Sequence, residues 1–550
     1  MAAGTVGMWN LDSIYKDFDS EEYREDYQRL VSSAESVSRY AKDMSEISGS
    51  VSPDVVCGYL ERLEDFQVLY SGLYTYAGLR SSVNLSDTEA AGWERRLEQL
   101  FISLTEAGIY FGEYIRGIKD LNYFCRGNQM LCAYRYYLEK ALEKQSRYLS
   151  PDTEKLIAGM SVTGSGAWRR LQTKIAAEAV MTVEENGRKI TVPVLNVGSL
   201  PQTEDKQVKE RRFRAELKAY EEYAPWSAMA LNNLKGEVIT LSGVRGFSSP
   251  LSQALSEYHI DHEILTALLE SVEDYLPKLR IYYCNKAKRM GYESGLPYYE
   301  REAPVPGFER IYSFEEGKKI ILEAFKGFSP AMYEYGKQAF DREWIDYGPA
   351  KGKAGGACCD GIYAVRESRI RMRYQGTLAD INTLAHELGH GYHNTCLFRE
   401  RALNFSYDLP IAETASKFSE LLFKEELRRR QTDADKEFID DFVVSGLINT
   451  VMDIQSRFYF EESFFKEREK REQTAEEISD LMLEAQRRVY ADSLDENLLN
   501  RYMWLNKPHY YFPQRNYYNF PYSFGALLSI GMYRQYCEDK EKFVNNNDIC

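Results

Sequence analysis

The sequence has few of the features that mark membrane, secreted or nucleic-acid-binding proteins. Among its 550 residues there is no apolar run whose length approaches the roughly eighteen residues that a membrane-spanning helix needs. Acidic residues number 84 and basic residues 69, for a net charge of −15, which argues against non-specific binding to nucleic acid or anionic membranes. The first twenty residues have no charged segment followed by an apolar one, so we expect no signal peptide and a cytoplasmic location.

Two residue types that bind metals are also sparse or scattered. The nine cysteines form no CxxC pair that could hold zinc or act as a redox motif. Histidine occurs only six times, yet His386, His390 and His393 lie within eight positions of one another. Such a cluster is improbable by chance and points to this segment as the chemical centre of the chain.

Most of the chain has the pattern of amphipathic helices. Apolar residues recur at three- and four-residue steps, which predicts a mostly α protein with a large buried core. Ser86 with Glu89, and Ser313 with Glu316, have the spacing of capping boxes at helix starts. The predicted helices cover residues 54–80, 86–118, 204–242, 261–290 and 313–340.

Strand patterns are restricted to two segments. Residues 179–197 are rich in β-branched side chains on both sides of Asn186-Gly187, which predicts a hairpin. Residues 358–375 include alternating apolar and basic positions typical of a strand. We expect an N-terminal helical domain, 1–200, that ends in the hairpin, and a catalytic domain, 201–550.

The segment LAHELGHGYH contains an HExxH motif. On a helix, His386 and His390 lie one turn apart and about 40° around the axis, so both imidazoles can reach one metal ion. Glu387 lies about 100° from His386, beside the metal, where its carboxylate can contact a metal-bound water. The alternative is a core helix with polar side chains on one face, but unpaired buried histidines would be costly.

A catalytic zinc site usually takes a third protein ligand. Glu413, in LPIAETAS, is the first carboxylate on the next predicted helix, and the chain between it and His390 is long enough for an antiparallel return. Glu400 and Asp408 are rivals in the connecting stretch. Glu413 could instead be a solvated carboxylate favoured by the helix N-terminus.

These motifs together resemble a known family. LAHELGHGYH, LPIAETAS and the C-terminal YNFPYSFG are similar to oligoendopeptidase F, a member of the thimet-oligopeptidase-like zinc metallopeptidases. The resemblance is sharpest over residues 345–425 and 505–530. It implies a helical body with a deep internal substrate channel, one Zn²⁺ ion, and cleavage of internal bonds in short peptides. Separately, the strand pattern at 358–375 predicts a small β-sheet beside the HExxH helix.

Carried over by position, the resemblance assigns roles to four residues of the motifs. His386, His390 and Glu413 match the zinc ligands of the family, and Glu387 matches its catalytic glutamate. With zinc bound by these three ligands, Glu387 would take a proton from the attacking water and pass it to the leaving amine.

The C-terminal loop supplies further candidates. His509 resembles the substrate-contacting histidine of the family. The tyrosines after it fall where the family has tyrosines that act in the transition state: Tyr517, Tyr518 and Tyr522. Residues 513–516, Pro-Gln-Arg-Asn, replace the glycine-rich loop of thimet oligopeptidase, so the acting tyrosine is left open between Tyr522 and Tyr518. The alternative for this loop is aromatic core packing.

For two further residues near the motif, the sequence gives weaker evidence of a role in the metal site. His393 is about 10.5 Å along the helix from His386, too far to bind the same ion. Glu420 is seven residues past Glu413 on the same helical face and could hydrogen-bond a zinc histidine, or form an ordinary salt bridge.

The predicted function is therefore a zinc-dependent endopeptidase acting on short peptides, with no nucleic-acid or membrane partner. Two alternatives stay open: an exopeptidase of the same fold, such as a carboxy-dipeptidase, and a non-catalytic peptide-binding protein. The oligomeric state cannot be derived from these patterns.

Overall fold

A computed structural model describes residues 7–185, 187–194, 203, 205–305, 310–349 and 352–546. The chain forms two compact units, which we call unit 1 and unit 2. Unit 1 comprises Met1–Tyr148, Glu309–Arg430 and Leu527–Cys550, and unit 2 comprises Leu149–Phe308 and Gln431–Ala526. Both are built almost entirely of helices, which confirms the predicted mostly α fold.

Unit 1 contains the HExxH motif. Its N-terminal segment packs helices α1, α2 and α4 around an aromatic core that includes Tyr23, Phe66 and Tyr76. Its helices are α1 Glu21–Ser45, α2 Pro53–Val83, α3 Thr88–Ser103, α4 Thr105–Ile115, α5 Leu121–Cys125, α6 Gln129–Ala133, α7 Arg135–Ser146, α13 Phe314–Phe328, α14 Pro330–Asp341, α15 Leu378–Leu397, α16 Leu409–Arg430 and α21 Lys540–Asn546.

Unit 2 contains the C-terminal loop. Its longest helices, α10 and α17, pack against each other and against α18. Its helices are α8 Pro151–Thr163, α9 Ser165–Glu178, α10 Lys206–Val244, α11 Pro250–Tyr258, α12 His262–Arg289, α17 Lys436–Arg468, α18 Ala475–Tyr490 and α19 Met503–Asn506. Helix α20, Phe520–Glu538, begins in this unit.

The predicted helices lie at the correct positions, but two of them are each divided into two helices in the structure, and one predicted N-cap is wrong. The segment 86–118 is two helices, because the turn tightens at Leu104, whose N–H donates to the Phe101 carbonyl at 3.1 Å. The segment 313–340 breaks at Ser329, because Pro330 has no N–H to donate and restricts the residue before it.

The Ser86 cap is also wrong. The Ser86 N–H donates to the Asn84 side chain at 3.1 Å, which keeps Ser86 in the preceding turn. Asp87 caps α3 instead, its carboxylate accepting the N–H groups of Glu89 and Ala90 at 3.1 and 3.0 Å. The predicted capping box at α13 is confirmed: Ser313 accepts from the Glu316 N–H, and the Glu316 side chain accepts from the Ser313 N–H.

Two small sheets complete the fold. The predicted hairpin is present as β1 Val180–Glu185 paired antiparallel with β2 Arg188–Pro193, although Asn186 of its turn lies outside the described residues. The segment 358–375 is two antiparallel strands rather than one, β4 Cys358–Ile362 and β5 Glu367–Arg371. Strand β3, Ile345–Asp346, pairs parallel with β5, so the order is β3-β5-β4, and α15 packs against β4 and β5.

Two further expectations concern boundaries and membranes. The boundary near residue 200 falls in 195–202, outside the described residues, and the division into 1–200 and 201–550 stays a prediction. Every helix in the described part of the chain is too short or too polar to cross a lipid bilayer.

Candidate metal centre

Helix α15 carries the HExxH motif and begins with a capping box. The Thr377 hydroxyl accepts from the Asp380 N–H at 3.1 Å, and the Asp380 carboxylate accepts from the Thr377 N–H at 3.0 Å. This cap defines where the helix begins, two and a half turns before His386. His386 and His390 follow one turn apart on the side that faces α16.

Three potential ligand atoms converge between α15 and α16. The Nε2 atoms of His386 and His390 are 3.1 Å apart, and His386 Nε2 is 3.7 Å from Glu413 Oε2. One donor atom of each residue lies within 4.8 Å of the other two, and Glu413 is buried. Two imidazole nitrogens and one carboxylate oxygen are the donor set of a catalytic zinc site that leaves one position open. The residues present therefore fit the expected metal.

Glycine allows the two helices to approach this closely. A Cβ on Gly389 would lie 2.9 Å from the Ser416 Cα and would overlap the Ser419 side chain. A Cβ on Gly391 would overlap the Tyr335 ring. The two glycines of HELGHGYH are thus explained by the packing of α15 against α16 and α14.

Glu387 is buried next to the ligand group, with 6% of its surface exposed. Burial raises the pKa of its carboxyl group to about 7, with His386 opposing the rise and the charges of Glu413 and Asp360 adding to it. A carboxyl group with a pKa near neutrality can both accept and release a proton at physiological pH, which is what a general base needs.

Glu420 supports His386 from the side opposite the ligand group. Its Oε1 lies 2.7 Å from His386 Nδ1 and 2.7 Å from Lys417 Nζ, and its Oε2 lies 3.2 Å from Lys424 Nζ. The possible hydrogen bond between Glu420 and a motif histidine is confirmed, with His386 Nδ1 as the donor. Because Nδ1 donates to Glu420, the lone pair of Nε2 is directed at the ligand group.

Charges around Glu420 set the protonation of its neighbours. Burial alone would raise the pKa of Glu420, but Lys417 and Lys424 hold it well below its usual value. Burial would lower the pKa of His386, but Glu420 outweighs it and the net shift is upward. Burial, and then the charge of His386, lower the pKa of His390 to about 3, so His390 is neutral at physiological pH.

The rival ligands lie elsewhere. Asp408 pairs with Lys140 at 3.1 Å, and the Glu400 carbonyl accepts from the Tyr363 hydroxyl at 2.7 Å. His393 is buried against the Tyr407 ring, with centroids 4.6 Å apart, and burial lowers its pKa. None of the three belongs to the ligand group found among the described residues.

The candidates of the C-terminal loop form an aromatic stack within unit 2. The His509 ring lies parallel to the Tyr518 ring at a centroid distance of 5.1 Å, and Tyr522 meets Tyr518 edge-on at 6.0 Å. Burial lowers the pKa of His509 to about 4, with smaller contributions from Arg457 and Lys507. His509 is therefore a neutral imidazole at physiological pH, and its Nδ1 has no hydrogen-bond partner within the described residues.

Buried polar contacts anchor this loop. Lys235 Nζ donates to the Asn516 side chain at 2.8 Å and pairs with Glu461 at 2.8 Å. The Tyr258 hydroxyl donates to the Asn516 carbonyl at 3.3 Å. Tyr517 has a left-handed backbone, φ 53°, and its ring is buried while Tyr518 is more exposed. Tyr522 lies in the first turn of α20.

Sequence reasoning missed Lys417 and Lys424. Both lie on the face of α16 that carries Glu413 and Glu420, at steps of four, three and four residues. That spacing was visible, but a lysine between two glutamates on a helix ordinarily indicates a solvated salt bridge.

Comparison with known proteins identifies the functional class of this protein, which is a peptidase. Residues 317–547 match the model of peptidase family M3, and residues 119–179 match the oligopeptidase F model. The C-terminal part of the chain is therefore similar to peptidase family M3, and the similarity of the chain to oligoendopeptidase F confirms the resemblance seen in the motifs.

Relatives of this kind match most of the chain. The group B oligopeptidase PepB of Streptococcus agalactiae is 25% identical over 86% of this chain and 80% of its own length. An oligoendopeptidase F homolog of Lactococcus lactis is 24% identical over 98% of this chain and 89% of its own.

Solved structures show the same fold. A peptidase structure from Chlamydophila abortus superposes with a TM-score of 0.77 at 18% identity, covering 98% of this chain and 89% of the other. Oligoendopeptidase-F from Enterococcus faecium gives a TM-score of 0.67 at 22% identity, covering 96% and 89%.

Proposed function

We propose that this peptidase is a zinc-dependent endopeptidase that hydrolyses internal bonds of short, unfolded peptides. The observation that carries the proposal is the convergence of His386, His390 and Glu413 on one point, with Glu387 buried beside them. These three residues would hold one Zn²⁺ ion, and Glu387 would be the general base.

In the proposed reaction, the zinc ion and the side chains of the protein have different roles. Zinc, when bound, supplies a Lewis acid that polarises the scissile carbonyl and makes water more acidic. Glu387 takes a proton from the attacking water and delivers it to the leaving amine nitrogen as the C–N bond breaks. Glu420 keeps His386 in the tautomer that has its Nε2 lone pair free.

Strand β4 is the proposed binding edge for the peptide backbone. Among the described residues it pairs only with β5, and it packs against α15. An extended peptide that adds to a free strand edge gains main-chain hydrogen bonds without a sequence requirement. The turns of Gly352–Gly356 precede this strand. We expect broad sequence tolerance, and poor cleavage of folded proteins, which could not enter the channel that the resemblance implies.

His509, Tyr518 and Tyr522 complete the proposal. Their roles follow the family resemblance: His509 holds substrate, and one tyrosine hydroxyl donates to the oxyanion of the transition state. Tyr522 is favoured because it lies at the start of a helix and is held more rigidly, with Tyr518 as the alternative.

Metal removal and product analysis test the proposal. Activity on a peptide panel of graded length should disappear with a chelator and return with one equivalent of zinc. Mass spectrometry should find cuts at internal bonds, whereas release of C-terminal dipeptides alone would identify an exopeptidase. Full turnover by metal-free protein would contradict zinc dependence, and zinc binding without any cleavage would favour a non-catalytic peptide-binding protein. Efficient internal digestion of a stably folded protein would contradict the size restriction.

A further inference from the structure

Helix α16 presents four charged side chains in a row toward α15. Glu413, Lys417, Glu420 and Lys424 are spaced four, three and four residues apart, which places them on one face of the helix. Side-chain exposure is 9% for Glu413, 23% for Lys417, 7% for Glu420 and 9% for Lys424. The row is therefore largely removed from water, unlike the solvated salt bridges on the same helix near its C-terminal end.

The contacts within this row are unequal. Both lysines of the row form ion pairs with Glu420: Lys417 Nζ lies 2.7 Å from Oε1, and Lys424 Nζ lies 3.2 Å from Oε2. Glu420 Oε1 also accepts from His386 Nδ1 at 2.7 Å. The only partners seen for the Glu413 carboxylate among the described residues are His386 Nε2 at 3.7 Å and the Ser416 hydroxyl at 3.4 Å.

The row has two lysines and two carboxylates, but both lysines contact Glu420, and neither lies within ion-pair distance of Glu413. Burying a second ammonium group has a desolvation cost that stability alone does not explain. Both oxygens of Glu420 accept hydrogen bonds, which oppose rotation of its carboxylate away from His386. Without the lysines, the hydrogen bond to His386 Nδ1 alone would hold the Glu420 carboxylate in place.

We propose that Lys417 and Lys424 act as a clamp that assigns the two carboxylates of α16 to different tasks. The clamp holds Glu420 on His386 Nδ1 and leaves Glu413 as the only carboxylate of this helix available to the metal. Lys417 and Lys424 are thus positioning residues for the zinc ligands. The inference rests on the proposed zinc site and deepens it.

Zinc affinity is the first measurement. Lys417→Met, Lys424→Met and the double variant are compared with wild type by competition with a chelator. The double variant should bind zinc about 10–100-fold more weakly, the loss typical for residues that orient metal ligands. Arg429→Met is the matched control, because it removes a cation from the exposed part of the same helix, where Arg429 contacts Glu426 at 3.8 Å. The control should stay within about twofold of wild type, whereas an unchanged affinity in the double variant would overturn the clamp.

Cobalt substitution separates positioning from general stability. The visible spectrum of bound Co²⁺ reports ligand identity and geometry. It should change in Lys417→Met/Lys424→Met and return toward wild type in Lys417→Arg/Lys424→Arg, which keeps both charges. An identical spectrum in the methionine variant would count against the clamp even if its melting temperature had fallen.

Wild-type protein provides a test that needs no folded variant. Nitrogen NMR of histidine-labelled, metal-free enzyme should find His386 protonated at Nδ1, since Glu420 accepts that proton. A His386 with its proton on Nε2 would overturn the assignment of Glu420. Failure of wild type to bind stoichiometric zinc would instead contradict the proposed function, so the two failures are distinguishable.

Discussion

Two buried carboxylates, Glu420 in unit 1 and Asp453 in unit 2, each lie between two basic side chains. Lys417 and Lys424 hold Glu420, while Arg457 and Arg301 hold Asp453, the latter at 2.6 Å. Their remaining partners differ. Glu420 accepts from an imidazole of the candidate metal centre, whereas the arginines of Asp453 continue into further structural contacts.

Those contacts join separate elements of unit 2. Arg301 follows a 3-10 turn, Tyr298–Glu300, and donates to the Tyr490 hydroxyl of α18 at 2.8 Å. Arg457 of α17 donates to Asn519, just before α20, at 3.4 Å. The comparison teaches that a buried carboxylate between two cations can join separate helices, as Asp453 does, or can contact an imidazole of the candidate metal centre, as Glu420 does.

The largest effect on turnover is expected within unit 1. Glu387→Gln keeps the shape of the side chain but removes the base, so turnover should fall at least about 10²–10⁴-fold. Zinc content and melting temperature should be close to wild type, because Glu387 is not one of the converging ligands. Steady-state kinetics with metal analysis checks this, and near-normal turnover would be incompatible with the mechanism.

A somewhat smaller effect is expected from the tyrosines of unit 2. Tyr522→Phe or Tyr518→Phe removes only a hydroxyl donor, and turnover in the variant of the acting tyrosine should fall about 10²–10³-fold with zinc content unchanged. Tyr533→Phe, further along α20, is the control. Unchanged turnover in both loop variants would dismiss the oxyanion role, and an equal loss of stability would favour aromatic packing.

Asp453→Asn should instead change stability while leaving the metal centre intact. Removing this charge takes the carboxylate partner from the buried Arg457 and leaves the buried Arg301 with only the exposed Glu302, and breaking a buried ion pair in this way typically costs about 3–5 kcal/mol. Denaturant unfolding measures the loss, and zinc affinity should remain within about twofold of wild type. A large loss of zinc affinity would break the distinction between the two carboxylates.

The smallest expected effect is a pH dependence of that stability. Burial would raise the pKa of Asp453, but Arg301 and Arg457 lower it from 3.8 to about 2. Since the folded-state pKa is depressed, this contribution of about 2 kcal/mol is present above pH 4 and is lost as the pH falls toward 2. The stability difference between wild type and Asp453→Asn should narrow over that interval, and a constant difference would contradict the assignment.

Local patterns predicted much of the fold because helix formation and capping depend on near neighbours. The spacing of His386, Glu387 and His390 on one helix, and the capping box of Ser313 and Glu316, follow from residues at most four positions apart. The break before Pro330 was also readable from the sequence, since proline cannot continue the hydrogen bonds of the preceding helix. The Asp87 cap was not anticipated, because Asn84 competes for the Ser86 N–H.

By itself, the sequence determined that this protein is mostly helical and that its motifs resemble oligoendopeptidase F, and it predicted that the chemistry centres on HELGHGYH. The resemblance pointed to Glu413, and helical spacing made Glu420 a candidate, but only the tertiary structure shows that both carboxylates lie against His386. Glu413 and Glu420 have the same helical face and similar chemistry, so no periodicity distinguishes them. The distinction arises because α16 packs across Gly389, which brings Glu420 to Nδ1 of His386 and Glu413 toward Nε2 of the same ring. Hydrogen bonds and metal ligation depend on distances between atoms that are remote in the chain, and periodicity along one helix does not contain those distances.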